Sequence, residues 1–134
     1  MSRSGYSEDY DGSTWDFIRW SGAVKSAMRG KRGQAFLKEL IASLDALPNK
    51  ALIVEELQVD QLGDVCALGS VGLSRGMDMS KIDPEDWDQV ASAFKITPAL
   101  AREIMYHNDD GHRGETPEQR FVRVREWAVS NLRP

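Results

Sequence analysis

The sequence predicts a mainly α-helical protein, built as one compact single domain of five to six helices. Apolar residues recur at three- and four-residue steps in several segments, as they do on the buried face of an amphipathic helix. The clearest stripe consists of Leu37, Leu40, Leu44 and Leu47. Two segments begin with threonine followed by proline, Thr97-Pro98 and Thr116-Pro117, which is typical of helix N-termini. The 134 residues, of which 41% are hydrophobic, suffice for a core without disulfides or metals.

The first part of the chain divides into a tail and two helices. Residues 1–13 are rich in Ser, Gly and Asp, so we expect a disordered N-terminal tail followed by a single helical domain over 14–134. A first helix begins near Thr14, and Gly30 and Gly33 are expected to break it. The second helix carries the leucine stripe and ends at the proline that follows it.

The middle of the chain leaves two structures open. The apolar residues of 51–59 fit either a short helix or a strand. In the second case Gly63 turns the strand back on itself as a short β-hairpin near 51–67. Further on, the small residues Gly69 and Gly72 predict a helix with a thin face that a second helix approaches closely.

The last third of the chain contains three helix starts. Asp83 is expected to cap a helix whose first position is Pro84. Thr97 is expected to cap the next helix in the same way. Thr116 and Gln119 form the sequence pattern of a capping box at the start of the last helix.

Composition excludes several classes of protein. The N-terminal residues lack the apolar stretch of a signal peptide, and no apolar run reaches the length of a membrane span. Cys66 is the single cysteine, so no intrachain disulfide forms. The net charge of -4 argues against a protein that coats nucleic acid through its whole surface. We therefore expect a cytoplasmic protein without membrane contact.

A basic segment is the first candidate for a binding site. Six basic residues and no acidic residue lie between Phe17 and Lys38. They are Arg19, Lys25, Arg29, Lys31, Arg32 and Lys38. The densest part surrounds two glycines at the mouth of the second helix, where backbone N–H groups and the helix dipole favour a phosphate or an acidic surface. The alternative is a solvated charged linker.

The tandem of helices at 83–107 is the second candidate. Its apolar spacing resembles a helix-turn-helix, which would place the second helix in a DNA groove. Lys95 stands where such turns usually carry glycine, and Arg102 is the one arginine or lysine of the second helix. The acidic residues that open the first helix would repel phosphates. A plain helical hairpin in the core is the alternative.

An acidic cluster and an exposed tryptophan complete the candidate contacts. Asp83, Glu85 and Asp86 lie close together, and clustered acids can bind a basic groove of another protein. Helix capping accounts for the same residues in a simpler way. Trp15 and Trp20 share only part of a helix face, so Trp20 is a candidate interface anchor.

Neither catalytic nor metal-binding residues are predicted. The turn from His107 to His112 is rich in His and Asp, but its spacing matches neither a zinc site nor a calcium loop. Cys66 lies in an apolar run and is expected to be a buried small side chain. We expect a protein that is not an enzyme and uses no cofactor.

Several motifs together resemble those of a known group of proteins. They are Arg29-Gly30-Lys31-Arg32-Gly33-Gln34-Ala35-Phe36-Leu37, Leu44-Asp45-Ala46-Leu47-Pro48, Asp64-Val65-Cys66-Ala67-Leu68-Gly69 and Ala101-Arg102-Glu103-Ile104 before Asn108-Asp109. In this order they resemble a family of small proteins encoded in tailed-phage and prophage genomes, over about Trp15 to Trp127. The resemblance carries no established activity. It implies the cytoplasm of a bacterial host.

Two functions follow as hypotheses. The first is a phage-encoded accessory protein that binds a host or phage protein and modulates it, for example in counter-defence. Its contact residues would be Trp20, Arg29, Lys31, Arg32, Asp83, Glu85 and Asp86. The second is a nucleic-acid-binding regulator that uses the helix-turn-helix-like segment at 83–107. Its contacts would be Lys25, Arg29, Lys31, Arg32 and Arg102. Self-association into a homo-oligomer stays open.

Overall fold

A computed structural model of the chain describes residue 3 and residues 14–59, 63–111 and 113–134, with side chains in the first helix described from residue 22. This part contains six α-helices and one antiparallel pair of strands. The helices are α1 (Thr14–Arg29), α2 (Lys31–Ala46), α3 (Ala67–Ser74), α4 (Trp87–Phe94), α5 (Pro98–Asp109) and α6 (Pro117–Ser130). The strands are β1 (Gln58–Val59) and β2 (Asp64–Val65), and Met79–Lys81 form a 3-10 turn. The predicted mainly α fold with a short hairpin is confirmed.

Helices α2 and α5 form the centre of the molecule. Helix α2 packs against α1, α3 and α6, while α5 packs against α1, α3, α4 and α6. The leucine stripe of α2 is buried within the main core, as its spacing predicts. Each leucine removed from water in this way contributes about 1.5–3 kcal/mol. The core therefore fixes where the two ends of α5 lie.

The corner between α1 and α2 is tighter than the two predicted glycine breaks imply. Gly30 alone separates the helices, and Gly33 lies inside α2. A Cβ on Gly33 would stand 1.8 Å from the Ala27 carbonyl oxygen, so a glycine is needed for the two helices to approach. Lys31 and Arg32 are consequently in the first turn of a helix and not in a linker.

The ambiguous middle segment forms a minimal hairpin. Gln58 pairs with Val65, and Gly63 adopts a φ of 88° at the turn. Helix α3 packs against α2, and the two glycines of its predicted thin face meet other parts of the chain, namely the segment before β1 at Gly69 and the Met79 side chain at Gly72. At Gly69 a Cβ would stand 1.9 Å from the Leu57 carbonyl oxygen. Small residues on α3 thus admit backbone from the strand that precedes it.

Helix α4 begins later than predicted. Asp86 caps it by accepting a hydrogen bond from the Gln89 N–H, and the helix starts at Trp87. Asp83 instead closes the preceding turn, where its carboxylate accepts from the Glu85 N–H and its carbonyl from the Asp86 N–H. Two acids three residues apart can each cap a helix, and here Asp86 does so.

Arg3 is the one described residue of the predicted disordered tail. Its side chain is 1% exposed and pairs with Asp109, whose side chain is 3% exposed. A freely disordered segment would not bury a charged side chain, so the prediction does not hold at this residue. The other residues of 1–13 lie outside the described part of the chain.

Candidate functional site

Two features that the sequence presents separately meet in one cleft of about 300 Å³. The first turn of α2 supplies one wall, and the turn between α4 and α5 supplies the other. We call this site the basic cleft. It is lined by Ala27, Arg32, Gly33, Ala91, Ser92, Lys95, Ile96, Thr97 and Leu100. The basic segment and the helix tandem therefore contribute to one surface.

The position of Arg32 in the cleft depends on the tight corner between α1 and α2. Because Gly33 has no side chain, α2 can start against the end of α1 at Ala27. The C-terminal residues support the same corner. The Gln34 side-chain amide donates to the carbonyl oxygens of Met28 at 2.7 Å and Asn131 at 3.0 Å. Arg32 therefore lies at a helix end that is fixed by these contacts, and not in a free loop.

The first turn of α2 holds positive charge where a helix disfavours it. Lys31 and Arg32 occupy this turn, which contains no acidic residue, and Gly30 offers no side chain to cap the free N–H groups. The dipole of a helix places partial positive charge at the same end, so each cation there costs about 0.3–1 kcal/mol. A bound anion would relieve both the dipole and the cations.

The opposite wall of the cleft carries a second local conflict. Lys95 ends α4 in the left-handed conformation, with φ 61° and ψ 44°. The Ile96 N–H then donates to the Ala91 carbonyl oxygen at 3.0 Å, which closes the helix end. A side chain in this conformation costs about 1–2 kcal/mol relative to ordinary backbone. Glycine would fit better, yet the chain has a lysine at the mouth of the cleft.

Four cations in and beside the cleft form what we call the basic surface. Arg29, Lys31, Arg32 and Lys95 are all exposed. Within the described residues none of their side chains has an ion-pair or hydrogen-bond partner. Arg133 adds a further base beside them, since its guanidinium donates to the Arg29 carbonyl oxygen at 3.4 Å. The surface is therefore open to an anionic ligand.

Two hydroxyl groups give the cleft directional hydrogen bonds. Ser92 and Thr97 are exposed and line it between the two cations. The Thr97 Oγ1 atom accepts from the Leu100 N–H at 3.1 Å, which leaves its own hydrogen free to donate. A carboxylate or phosphate oxygen accepts such bonds more strongly than a neutral oxygen does. The lining therefore suits an anion.

The structure separates the other predicted basic contacts. Lys25 is exposed on α1, one turn before Arg29, and belongs to the same basic surface. Arg102 is only 7% exposed, and its guanidinium carbon lies 4.2 Å from the centre of the Trp87 ring. Its charge is consequently directed into the packing between α4 and α5 and not toward a nucleic acid. The side chain of Trp20 lies outside the described part.

The acidic cluster lies at the other end of α4 from the basic cleft. Asp83, Glu85 and Asp86 are exposed before the helix begins, whereas Lys95 ends it. An eight-residue helix is about 12 Å long, so the two charged regions are separated by roughly that distance along its axis. Asp83 and Asp86 already serve as caps, which leaves Glu85 as the acid without a structural role there.

Lys95 and Arg133 lie in or beside the cleft, and the sequence did not identify either as a candidate contact. Lys95 counts there only as evidence against a helix-turn-helix. Its own signal is the conflict between a glycine-type position and a long cationic side chain, because such conflicts concentrate at functional sites. Arg133 carries no local signal, since its place beside the corner depends on how α6 packs against α2.

The remaining His, Cys and acidic side chains were the sequence's other candidates for a metal site. Among the described residues no three His, Cys, Asp or Glu side chains lie close enough to hold a metal ion. His107 stacks on Trp127 with ring centres 4.3 Å apart. Burial, together with the charge of Arg123, lowers the pKa of His107 to about 4. No helix in the described part has the length and apolar composition needed to cross a membrane.

Comparison with known proteins identifies no relative. No protein-family model matches the chain, no curated protein matches it significantly, and no solved structure does so either. The resemblance to small phage-encoded proteins therefore stays a prediction, and the functional argument depends on the basic cleft.

Proposed function

We propose that this protein is a binding module that recognises an acidic segment of a partner protein through the basic cleft. The observation that carries this proposal is the convergence of Arg32 and Lys95 on one cleft, each in a locally unfavourable position and neither with an ion-pair partner among the described residues. Natural chains keep such conflicts where a ligand compensates them. A carboxylate between the two cations would do so.

The surface around the cleft favours a protein partner over duplex DNA. In a helix-turn-helix the second helix carries the bases that contact the groove. Here α5 has one arginine, which is stacked on Trp87, and one histidine, which is stacked on Trp127. The exposed end of α5 instead has Tyr106 and Asp110. A duplex seated on α5 would therefore meet few cations beyond the cleft itself.

We extend the proposal to a bacterial host, which is the setting that the predicted resemblance to phage-encoded proteins implies. In that setting the module would dock on a host or phage protein, in the cytoplasm, and modulate it. Binding through cations implies an association rate that falls as salt screens the charges. No chemical step is required of the module itself.

The test is a pull-down with the tagged protein from a nuclease-treated bacterial lysate, followed by affinity measurement on the captured protein. The variant R29E/R32E reverses two cations of the basic surface. We expect it to weaken binding at least about tenfold and to flatten the salt dependence. The matched control is K81E/R113E, which makes the same change in net charge at two exposed residues remote from the cleft.

The two variants separate the cleft from the overall charge. If R29E/R32E and K81E/R113E weaken the captured complex equally, the effect is one of net charge and the cleft is not the contact. If the complex forms with unchanged affinity in R29E/R32E, the proposal is wrong. A loss confined to R29E/R32E supports it.

A nucleic-acid-binding regulator is the second candidate. The observation in its favour is that the basic cleft opens at the turn of the helix-turn-helix-like tandem, next to Arg29 and Lys31. It predicts binding of duplex or single-stranded oligonucleotides at low salt, with an affinity that falls steeply as salt rises. Phosphate contacts are strong at a salt concentration of about 50 mM. If neither oligonucleotide binds under that condition, this candidate is excluded.

A further inference from the structure

A second polar site lies at the other end of α5 and is closed by the chain itself. The Asp109 carboxylate accepts two hydrogen bonds from the Arg3 guanidinium, Nε to Oδ2 at 2.6 Å and Nη2 to Oδ1 at 2.8 Å. Such a bidentate fork is the geometry in which arginine recognises a carboxylate most strongly. Arg3 and Asp109 are 106 positions apart in sequence, so only the tertiary structure joins them.

The carboxylate is held in place by groups other than Arg3. Its Oδ1 atom accepts from the Glu55 N–H at 3.1 Å and from the Asn108 side-chain amide at 2.9 Å. Asn108 is itself 1% exposed, donates to the Ile53 carbonyl oxygen at 2.8 Å and accepts from the Ala67 N–H at 2.9 Å. The carboxylate is thus oriented by three elements of the domain before any guanidinium arrives.

The residue whose N–H binds the carboxylate has an unfavourable backbone conformation. Glu55 has a φ of 66°, in the left-handed region, and its N–H points to Asp109. On the remaining side the Arg3 Nη1 atom lies 3.7 Å from the Cys66 sulfur, which is a weak acceptor. We call this arrangement of Asp109, Asn108, Glu55 and Cys66 the Asp109 socket.

We infer that the Asp109 socket is a guanidinium-binding site, filled by Arg3 of the same chain and able to take an arginine side chain supplied from outside when Arg3 is absent. The socket is built by the domain, while Arg3 reaches it from the N-terminal segment. Because Arg3 belongs to the same chain, it fills the socket without the entropy cost of bringing two molecules together, so an external arginine competes poorly with Arg3 but fills the socket once Arg3 is removed. This inference is independent of the basic cleft.

The experiment removes Arg3 and supplies N-acetyl-arginine amide. In Arg3→Ala the socket keeps its carboxylate but loses its cation, so we expect a lower Tm than in the unmodified chain. The added probe should raise the Tm again, by about 3–5 °C at ten times its dissociation constant, which we place at roughly 1–10 mM, and the rise should follow the logarithm of probe concentration above that constant. N-acetyl-lysine amide should act at least about tenfold more weakly, because an ammonium cannot form the fork.

Cys66 provides a second and local readout. It is the single cysteine of the chain, is 1% exposed, and contacts the guanidinium that the variant removes. Removing the Arg3 side chain uncovers the sulfur, so we expect the rate of its reaction with a neutral thiol reagent to rise in Arg3→Ala through greater access, and to fall again when N-acetyl-arginine amide covers the sulfur. If Arg3→Ala does not fold, Arg3→Lys retains a cation without the fork and is tested in the same way.

The chain offers a matched control for the chemistry of the pair. Arg125 forms the same bidentate fork with Asp45, at 2.7 and 2.9 Å, but both side chains are exposed. The probe should therefore have no effect on Arg125→Ala, nor on Arg3→Ala combined with Asp109→Asn. A recovery of Tm that the arginine probe produces in Arg3→Ala alone supports the socket. Rescue that is absent, equal for the lysine probe or equal in Arg125→Ala overturns it.

Discussion

The basic cleft and the Asp109 socket lie at the two ends of α5, and both place charge against the helix dipole. Thr97 and Leu100, at the N-terminal end, line a cleft with cations, where the dipole is positive. Asp109, at the C-terminal end, is a carboxylate where the dipole is negative. The difference is that Arg3 compensates Asp109, whereas within the described residues nothing compensates Arg32 and Lys95.

This contrast separates stability from binding. At the Asp109 socket every charged group has partners inside the protein, so a substitution there should cost stability. At the basic cleft the charges have no ion-pair partner within the described part of the chain, so removing them should stabilise the domain while weakening its complex. Function that depends on uncompensated charge usually opposes stability in this way.

The largest effect is expected at the closed end of α5. Asp109→Asn leaves the Arg3 guanidinium without its counter-charge, so we expect the free energy of unfolding to fall by about 2–3 kcal/mol. The release of Arg3 to water keeps the loss below that of two groups fixed in the core. Denaturant titration measures it, with Asp45→Asn as the control at the exposed pair with Arg125, where the change should be much smaller. Equal losses would mean that burial does not distinguish the two pairs.

Lowering the pH should reduce the stability of the C-terminal end of α5 through His107, which lies one turn before Asp110. The pKa of His107 is about 4 in the folded state and near 6.5 in the unfolded chain. Between these values the unfolded chain binds a proton that the folded protein does not, so stability falls as the pH falls from about 6.5 to 4. Glu103, 3.6 Å from the imidazole, favours the charged form and moderates the loss.

The measurement is denaturant unfolding at pH 7 and pH 4.5 for the unmodified chain and for His107→Phe, which keeps an aromatic ring against Trp127. Because the His107 side chain is 27% exposed, solvent screening reduces the expected extra loss in the unmodified chain to roughly 1–2 kcal/mol. The carboxylates titrate in both proteins and cancel in the difference. Identical pH profiles would show that His107 is not held neutral by the fold.

At the N-terminal end of α5, beside the basic cleft, a substitution should raise the stability of the domain instead of lowering it. Lys95→Gly removes a side chain from a left-handed position, so we expect the domain to gain about 0.5–1 kcal/mol and its complex to weaken. Lys95→Ala is the control, because it keeps the backbone conflict and loses only the charge. Thermal unfolding measures the gain in stability, and an affinity measurement tests the weakening of the complex. A destabilised Lys95→Gly protein would contradict the assignment of strain to this residue.

The smallest effect is expected in the first turn of α2. Arg32→Glu replaces a cation that the helix dipole disfavours by an anion that it favours, so we expect a gain of about 0.3–1 kcal/mol at low salt. The gain should shrink at high salt, since exposed charges are screened. Arg29→Glu, at the last residue of α1 where the dipole has the opposite sign, should instead lose stability. The same sign for both substitutions would exclude the dipole as the cause.

Part of the fold could be predicted because its causes are local. The leucine stripe of α2 and the capping box at Thr116 and Gln119 depend on residues no more than a few positions apart, and both are present. The late start of α4 was missed because Asp83 and Asp86 are equally good caps to a reader of the sequence. Only the packing of Val90 and Phe94 decides which turn becomes helix.

The sequence by itself determined most of the helices, the caps at Thr97 and Thr116 and the presence of a basic segment, because these follow from periodicity and from side chains that bond to neighbouring backbone. Only the tertiary structure decided that Arg32 meets Lys95 across a cleft and that Arg3 meets Asp109 in the socket. Both meetings join residues that are distant in the chain. Their distances are set by how α2 and α5 pack in the core, and no local pattern encodes that packing.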